Sequence, residues 1–474
     1  MTGTVPPTEL HATGPEAFGW AASGWGSGAG WREAADAALD RLFETGGSPW
    51  VTLKQVSRDG APLDGRASTD EALLPPRELQ ATAQDLVPHA VGEPVKHACD
   101  LAMVFVTAGF VADYGRIIEH VGAELGSAHL VGCSATHGIA GGRVLEGRET
   151  ITILALAAPG MSVRSVALSP EVVERAAGLE AFPERQADYL HRATGVLPGD
   201  AHGWILLADH ASVEAPSVAA LWAAAWPGVG VFGAIASTNG EERTTALFHG
   251  ADVIPDGVVA VAIGGAWAVE TLASQGCAPI GRPWTITEVD GEHAIRRIGR
   301  RPALGVLMDS VRALPADLVK RARGNLFAGL AVDEVRSTTT GASADALVSC
   351  ALLGADQDSG SLLVLGRPTV GQTVQFQYRD ASAATADLEL QLAATVARTT
   401  GRTPLLAIVL ADDARHEAFF GAPDRDAAMV RRATGGAAVA GFGCRAEIGP
   451  VGGRVVALTH AACVGLVVPR GVGA

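Results

Sequence analysis

Leu130–Gly138 reads LVGCSATHG: an apolar run with strand character that ends in small and glycine-rich sequence. The chain repeats this at Val231–Gly240 (VFGAIASTNG) and again at Val439–Pro450 (VAGFGCRAEIGP). Each copy has an apolar run before it: Leu101–Ala108 (LAMVFVTA), Gly203–His210 (GWILLADH) and Leu405–Asp413 (LLAIVLADD). Each has another after it: Ile151–Ala157 (ITILALA), Val258–Gly264 (VVAVAIG) and Val464–Pro469 (VGLVVP). First and second strands start 29, 28 and 34 residues apart, second and third 21, 27 and 25. Three β-α-β-β units of similar dimensions point to an internal duplication.

The intervening sequence has helical pattern. After Asp113, Ile117, Ile118, Val121 and Leu125 fall on one face, and Leu388, Leu392 and Val396 recur at four-residue spacing. Ser169-Pro170 opens a further helix. Near-continuous apolar strands need cover on both faces. The fold class that follows is α/β, with mostly mixed sheets flanked by helices in two halves that carry the duplication. Between Gly276 and Ala303 the composition changes, and Trp284–Val289 and His293–Ile298 read as a hairpin turning at Asp290-Gly291. The expected division is an irregular lead-in over 1–30, one domain over 31–250 and a second over 251–474.

Composition narrows the function. The 474 residues carry 36 Lys+Arg against 51 Asp+Glu, a net charge of −15, the wrong balance for a nucleic-acid surface. The most apolar stretch, Val253–Val269, is broken by Pro255, Asp256 and glycines, so no membrane insertion is expected. No leader opens the sequence, and the six cysteines form no CxxC pair; a cytoplasmic protein with free thiols is expected. The histidines show no zinc spacing, and GxGxxG, GxxxxGK[ST] and GxSxG are absent in usable positions.

Candidate residues lie where repeated strands meet glycine loops. Superposing the copies on Gly132-Cys133-Ser134, Gly233-Ala234-Ile235 and Gly443-Cys444-Arg445 places Cys133 and Cys444 at equivalent positions. They read either as thiols lining a pocket, with a nucleophile as the enzymatic alternative, or as small buried hydrophobes. Arg379-Asp380 closes the strand Val374–Tyr378, and Glu447 follows Cys444. An arginine grips a carboxylate and an acid takes an ammonium, so these three suit a zwitterion, or else pin two loops to each other. The loop Ser237-Thr238-Asn239-Gly240 reads as a ligand contact or a plain turn.

The strings HLVGCSATHGI, GCAPIGRPWTITEVDG, VQFQYRDA and GFGCRAEIGPVGG, in that order, resemble the FIST family over about residues 35–468. Ala446 stands where that family usually has glycine before the glutamate. The resemblance implies a small-ligand sensory protein with an N-terminal and a C-terminal FIST region. Its expected ligand is a small polar, amino-acid-like metabolite, bound by Gly132, Cys133, Ser134, Arg379, Asp380, Cys444 and Glu447. The signal is expected to leave through a separate protein such as a histidine kinase. No cofactor is expected; the alternative that the family suggests is haem, with His137 or His460 as axial ligand.

Overall fold

The computed structural model describes residues 20–28, 30–45, 99–238, 245–332, 346–399 and 401–471. The first unit comprises β1 (Trp20–Gly26), α1 (Trp31–Thr45), β2 (Leu101–Thr107), α2 (Tyr114–Leu125), β3 (Leu130–Ala135), the hairpin β4 (Gly138–Ala140) and β5 (Arg143–Val144), and β6 (Ile151–Ala157). The second runs through β7 (Met161–Leu168), α3 (Pro170–Ala177), α4 (Pro183–Thr194), β8 (Gly203–Ala208), α5 (Ala215–Ala225), β9 (Val231–Ile235), the hairpin β10 (Leu247–His249) and β11 (Asp252–Ile254), and β12 (Val258–Gly265).

The third opens with β13 (Trp267–Ser274) and is interrupted by a module of its own. That module holds β14 (Cys277–Asp290), β15 (Ala294–Ile298), β16 (Arg301–Pro302), α6 (Ala303–Arg312), α7 (Ala316–Ala322), β17 (Leu326–Ala331), β18 (Leu347–Ala355), β19 (Leu362–Val364) and β20 (Thr373–Arg379). The unit resumes with α8 (Ala381–Arg398), β21 (Leu406–Asp412), α9 (Glu417–Phe420), α10 (Arg425–Ala433), β22 (Ala438–Cys444), the hairpin β23 (Glu447–Val451) and β24 (Arg454–Leu458), and β25 (Ala462–Pro469).

The three units build three six-stranded sheets of one design: β1-β6-β2-β3-β10-β11, β7-β12-β8-β9-β23-β24 and β13-β25-β21-β22-β4-β5. Each sheet takes four strands from its own unit and closes on a hairpin lent by another. The second unit's hairpin joins the first sheet, the third's joins the second, and the first's joins the third. This cyclic exchange ties the units into a closed ring with approximate threefold symmetry. Three backbone hydrogen bonds repeat the cycle at the strand ends: Thr136 N to Gly443 O at 3.3 Å, Ser237 N to Ser134 O at 3.3 Å and Arg445 N to Ile235 O at 3.4 Å.

Side-chain alternation explains the unbroken apolar runs. On β2, Leu101, Met103 and Phe105 face a central core shared by the three sheets, where Phe105 meets Phe442 at 4.6 Å between ring centres. Ala102, Val104 and Val106 face the other way, beneath α1 and α2. The helix read from Ile117, Ile118, Val121 and Leu125 is α2, and those four side chains are buried. The hairpin read around Asp290-Gly291 pairs β14 with β15 in the module's seven-stranded antiparallel sheet.

Part of the stretch expected to be an irregular lead-in is ordered: Trp20–Gly26 is β1, antiparallel to β6. Its glycines carry a packing role that composition hides. A Cβ on Gly24 or Gly26 would collide with the carbonyl of Ala38 or Ala34, because α1 lies directly on the strand. The expected division at residue 250 falls before β12, which belongs to the second sheet; the chain passes from second to third unit between β12 and β13.

The strand registers also revise the superposition of the repeats. Gly132 lies beside Val104, Gly233 beside Leu206 and Gly441 beside Val409, and a Cβ on any of the three would collide with that neighbour's carbonyl oxygen. The equivalent glycine of the third unit is therefore Gly441, two residues before the Gly443 expected from sequence. Cys133 corresponds to Ala234 and Phe442, and Cys444 to Ala135 and Ala236. The second glycine has a separate cause: the His137 ring occupies the space where a Gly443 side chain would go.

Candidate functional site

Charged side chains gather where β21 and β22 end, against the point at which β20 leaves the inserted module. Asp412 is the last residue of β21, and both its oxygens accept backbone N–H groups: Oδ1 from Ala414 at 2.8 Å, Oδ2 from His460 at 2.9 Å. His460 holds this position in a left-handed conformation (φ 59°), with its ring edge-on to Phe327 at 5.4 Å. Arg415 donates from Nε (2.7 Å) and Nη2 (3.0 Å) to the two oxygens of Asp426; both side chains are buried. Burial works against the Arg415 charge, and Asp426 overcomes it, holding the guanidinium above its usual range.

Arg379 is different. It is 4% exposed, its Nη2 donates to Ala414 O at 3.1 Å, and no carboxylate lies within ion-pair distance among the described residues. Burial, then the neighbouring Arg415, pull its pKa down. Phe419 covers its face at 3.8 Å, and Phe420 lies over Arg415 at 5.4 Å. Four buried polar atoms in this neighbourhood meet no protein partner: Arg379 Nε, Arg415 Nη1, Asp413 Oδ1 and His460 Nδ1. Each such atom costs about 1–3 kcal/mol unless something satisfies it.

Beneath these residues lies Glu447, fully buried, accepting from Cys444 Sγ at 3.1 Å and from Ala461 N at 3.2 Å. Burial first, and Asp412 second, push its pKa well above the carboxylate range. Asp413 is lifted to about 7, by burial and by Asp412, against a hydrogen bond from Thr136 Oγ1 at 2.8 Å and the charge of Arg445. Thr136, Ser237 and Arg445 are equivalent residues of the three units. Thr136 N also donates to Ser237 Oγ at 2.9 Å, and Ser237 donates to Gly443 O, so the units are pinned to one another beside Asp413.

A cleft of 1480 Å³ opens between α5 with β24 on one side and β17–β18 of the module on the other. Its walls include Ala220, Val455, Leu330 and Val348, and it reaches the edge of the charged cluster at Arg445 and Thr459.

Of the residues read from sequence, the fold brings Arg379, Cys444 and Glu447 into this neighbourhood. Asp380, expected beside them, instead caps α8, accepting from Ala383 N at 2.7 Å, and pairs with Arg321. Gly132, Cys133 and Ser134 lie within β3: Gly132 packs against β2, Cys133 is in the central core, and Ser134 Oγ accepts from Ala246 N at 3.0 Å. Burial raises the pKa of both Cys133 and Cys444 well above that of a free thiol, the opposite of what a nucleophile needs. His137, buried against Gly443, has its pKa lowered to about 4 by burial and by His416. Asn239 and Gly240 lie outside the described residues. Sequence reading passed over Arg415, Asp412, Asp413 and Asp426. The signal available was ADDAR at the carboxyl end of a repeated strand, the end at which open α/β sheets take ligands.

Comparison with known proteins adds a family. Residues 100–301 match the model of the FIST N domain and residues 303–450 that of the FIST C domain. An uncharacterized protein of Mycobacterium tuberculosis is 29% identical over 379 residues, 80% of this chain and 93% of its own length. Another, of Mycobacterium bovis, is 37% identical over 228 residues, 48% of this chain and 58% of its own. Among solved structures, a chorismatase aligns at TM-score 0.27 over 80% of this chain and 96% of its own, and a cyanuric acid hydrolase at 0.25 over 82% and 95%, each 12% identical. Among the described residues, no helix is long and apolar enough to cross a membrane.

Proposed function

Because the chain belongs to the FIST family, a family of small-ligand sensory domains, we propose that it senses a small polar, amino-acid-like metabolite. The seat is the charged cluster at the ends of β21 and β22, and the signal passes to a separate protein. Arg379 and Arg415 take the ligand's carboxylate, and Asp413 with His460 face its amine end. Glu447 and Cys444 form the floor.

The observation that carries this reading is Arg379, 4% exposed, with an unpartnered Nε and, among the described residues, no carboxylate within ion-pair distance. A buried charge is kept only when something pairs with it, and a ligand carboxylate is the partner that a forked cation suits. The signal has a structural route, because Thr136, Ser237 and Arg445 join the three units beside the seat. A ligand that favours one arrangement of that junction shifts the balance between arrangements.

Thermal-shift and calorimetric screening of the full chain against amino acids, small carboxylates and amines tests the proposal. A ligand at one hundred times its dissociation constant adds about 2.7 kcal/mol of stability. Stabilisation by one chemical class, lost in Arg379→Ala, is the expected result. Silence across the panel would remove the sensory reading.

A further inference from the structure

The two arginines offer a ligand very little of themselves, and what they leave free is specific. The edge of Arg415 formed by Nε and Nη2 is taken by Asp426, and Arg379 Nη2 is taken by Ala414 O. The Phe419 ring lies over the plane of Arg379 and the Phe420 ring over that of Arg415, the two rings packing edge to face at 4.9 Å. Among the buried polar atoms, one nitrogen on each is left without a partner: Arg379 Nε and Arg415 Nη1. Gly276 packs beside Arg415 Nη1: a Cβ there would lie 3.1 Å from that nitrogen and 2.7 Å from Ala384 Cβ.

We propose that the ligand's recognition group is an oxyanion, carboxylate or phosphate, that bridges Arg379 Nε and Arg415 Nη1, and that Phe419 and Phe420 form a roof that must lift to admit it. The proposal rests on the ligand seat argued above and names the group that fills it. Burial first, and Arg415 second, lower the Arg379 pKa, and an anion between the two cations would relieve the second of these. An oxyanion supplies two acceptor oxygens, whereas a neutral amide supplies one acceptor and brings no charge. The roof is built to move as a unit. The short α9 that carries both rings ends at Gly421 (φ 68°), and Asp424 after it is also left-handed (φ 59°). Among the described residues two hydrogen bonds tether it to the first unit: Glu417 N donates to the Glu146 carboxylate at 3.1 Å, and Asp424 Oδ1 accepts from Val144 N at 2.7 Å. Both tethers run to the first unit's β4–β5 hairpin and the residues after it, so lifting the roof acts on the segment exchanged between units.

The test uses the full chain with succinate, glutamate and inorganic phosphate as oxyanion probes, and putrescine and glutaramide as cationic and neutral controls. Binding is read by calorimetry and by stopped-flow tryptophan fluorescence. Oxyanions, and neither control, are expected to bind, with the stronger of the carboxylate and phosphate arms naming the source. Arg379→Gln is expected to weaken that binding by about tenfold or more, the scale of one charge-assisted hydrogen bond, and Arg379→Lys to recover part of it. Phe419→Ala, with Phe419→Leu as the milder variant, is expected to speed both association and dissociation. Oxyanion binding that is unchanged in Arg379→Gln overturns the bridging group while leaving a sensor with its seat elsewhere. Putrescine or glutaramide binding in place of the oxyanions overturns it likewise. Unaltered association rates in both Phe419 variants overturn the roof. Silence from every probe overturns the sensory reading on which the inference stands.

Discussion

Breaking the Arg415–Asp426 pair tests whether the cluster is as dry as its geometry implies. Asp426→Ala removes the carboxylate that accepts two charge-assisted hydrogen bonds, at 2.7 and 3.0 Å, from a guanidinium whose side chain is 0% exposed; the aspartate is 3% exposed. Glu447 is held by Cys444 and Ala461 and makes no ion pair with Arg415 among the described residues, so the Arg415 charge stays buried with less to offset it. Removing one partner of such a pair costs about 3–5 kcal/mol, against about 0–1 for a solvent-screened surface pair. Asp426→Asn keeps an acceptor and should fall at the lower end. Replacing both residues, as in Arg415→Met with Asp426→Leu, removes the stranded charge and should recover most of the loss. Urea unfolding followed by tryptophan fluorescence reports on this, because Trp204, Trp222 and Trp226 are buried together in the second unit. A loss below about 1 kcal/mol for Asp426→Ala, at unchanged urea dependence, would mean that water reaches the pair. The unpaired Arg379 would then be hydrated too, and the main physical argument for a ligand there would fall.

Asp413 and His137 should tilt the pH dependence of stability in opposite directions. An aspartate raised to about 7 makes the fold lose stability as pH rises from about 4 to 7, so Asp413→Asn should gain on the wild type over that window, by up to about 1.4 kcal/mol per unit. A histidine lowered to about 4 makes the fold lose stability as pH falls from 6.5 to 4, so His137→Gln should gain on the wild type toward acid; parallel curves for variant and wild type would contradict either assignment. Alanine at Gly132, Gly233 or Gly441 should abolish soluble expression, whereas Gly443→Ala, which meets a side chain, should fold with His137 displaced; a folded Gly441→Ala protein would restore the other superposition. Native Cys133 and Cys444 should resist alkylation at neutral pH and react only after unfolding; labelling at the rate of a free thiol would reopen the nucleophile reading.

How far the sequence was readable follows from what each feature leaves in it. Strands covered on both faces leave long apolar runs, and so all nine repeated strands could be placed. The exchanged hairpins leave almost nothing: β4 is Gly-Ile-Ala and β10 is Leu-Phe-His, too short for a period. The offset of two in the third unit was hidden because Gly441 and Gly443 look alike, and only one neighbour, Val409 or His137, tells them apart. Arg379 was visible because it closes a strand. Arg415 and Asp426 were not, since ten residues of turn and short helix separate them and their meeting depends on the path of α9 and α10. Asp380 carried the same chemistry as Arg379 but is spent at the N-terminus of α8, where an acceptor was needed.

Threefold repetition would suggest three ligand seats, but the residues at equivalent strand ends argue for one. Asp412 corresponds to Asp209 in the second unit and to Thr107 in the first. Asp209 is occupied, accepting from Ala211 N at 3.1 Å, Ser212 Oγ at 2.9 Å and Thr245 Oγ1 at 3.0 Å. Thr107 exchanges hydrogen bonds with the Thr150 backbone at 2.8 and 3.3 Å. Glu447, across from Ala234, is matched by Leu247 across from Cys133 and by Gly138 across from Phe442, so of these three positions only one holds a buried acid. Among the described residues Arg379 is also the one arginine with a buried Nε left unpartnered, delivered by the end of β20 in the module that the third unit holds. Duplication supplied three similar strand ends, and one insertion brought a charge to one of them. Calorimetric titration with the best oxyanion should therefore give one site per chain, abolished by Arg379→Gln. A stoichiometry of two or three would show that the repeated strand ends bind without the inserted arginine, and would move the seat away from the cluster.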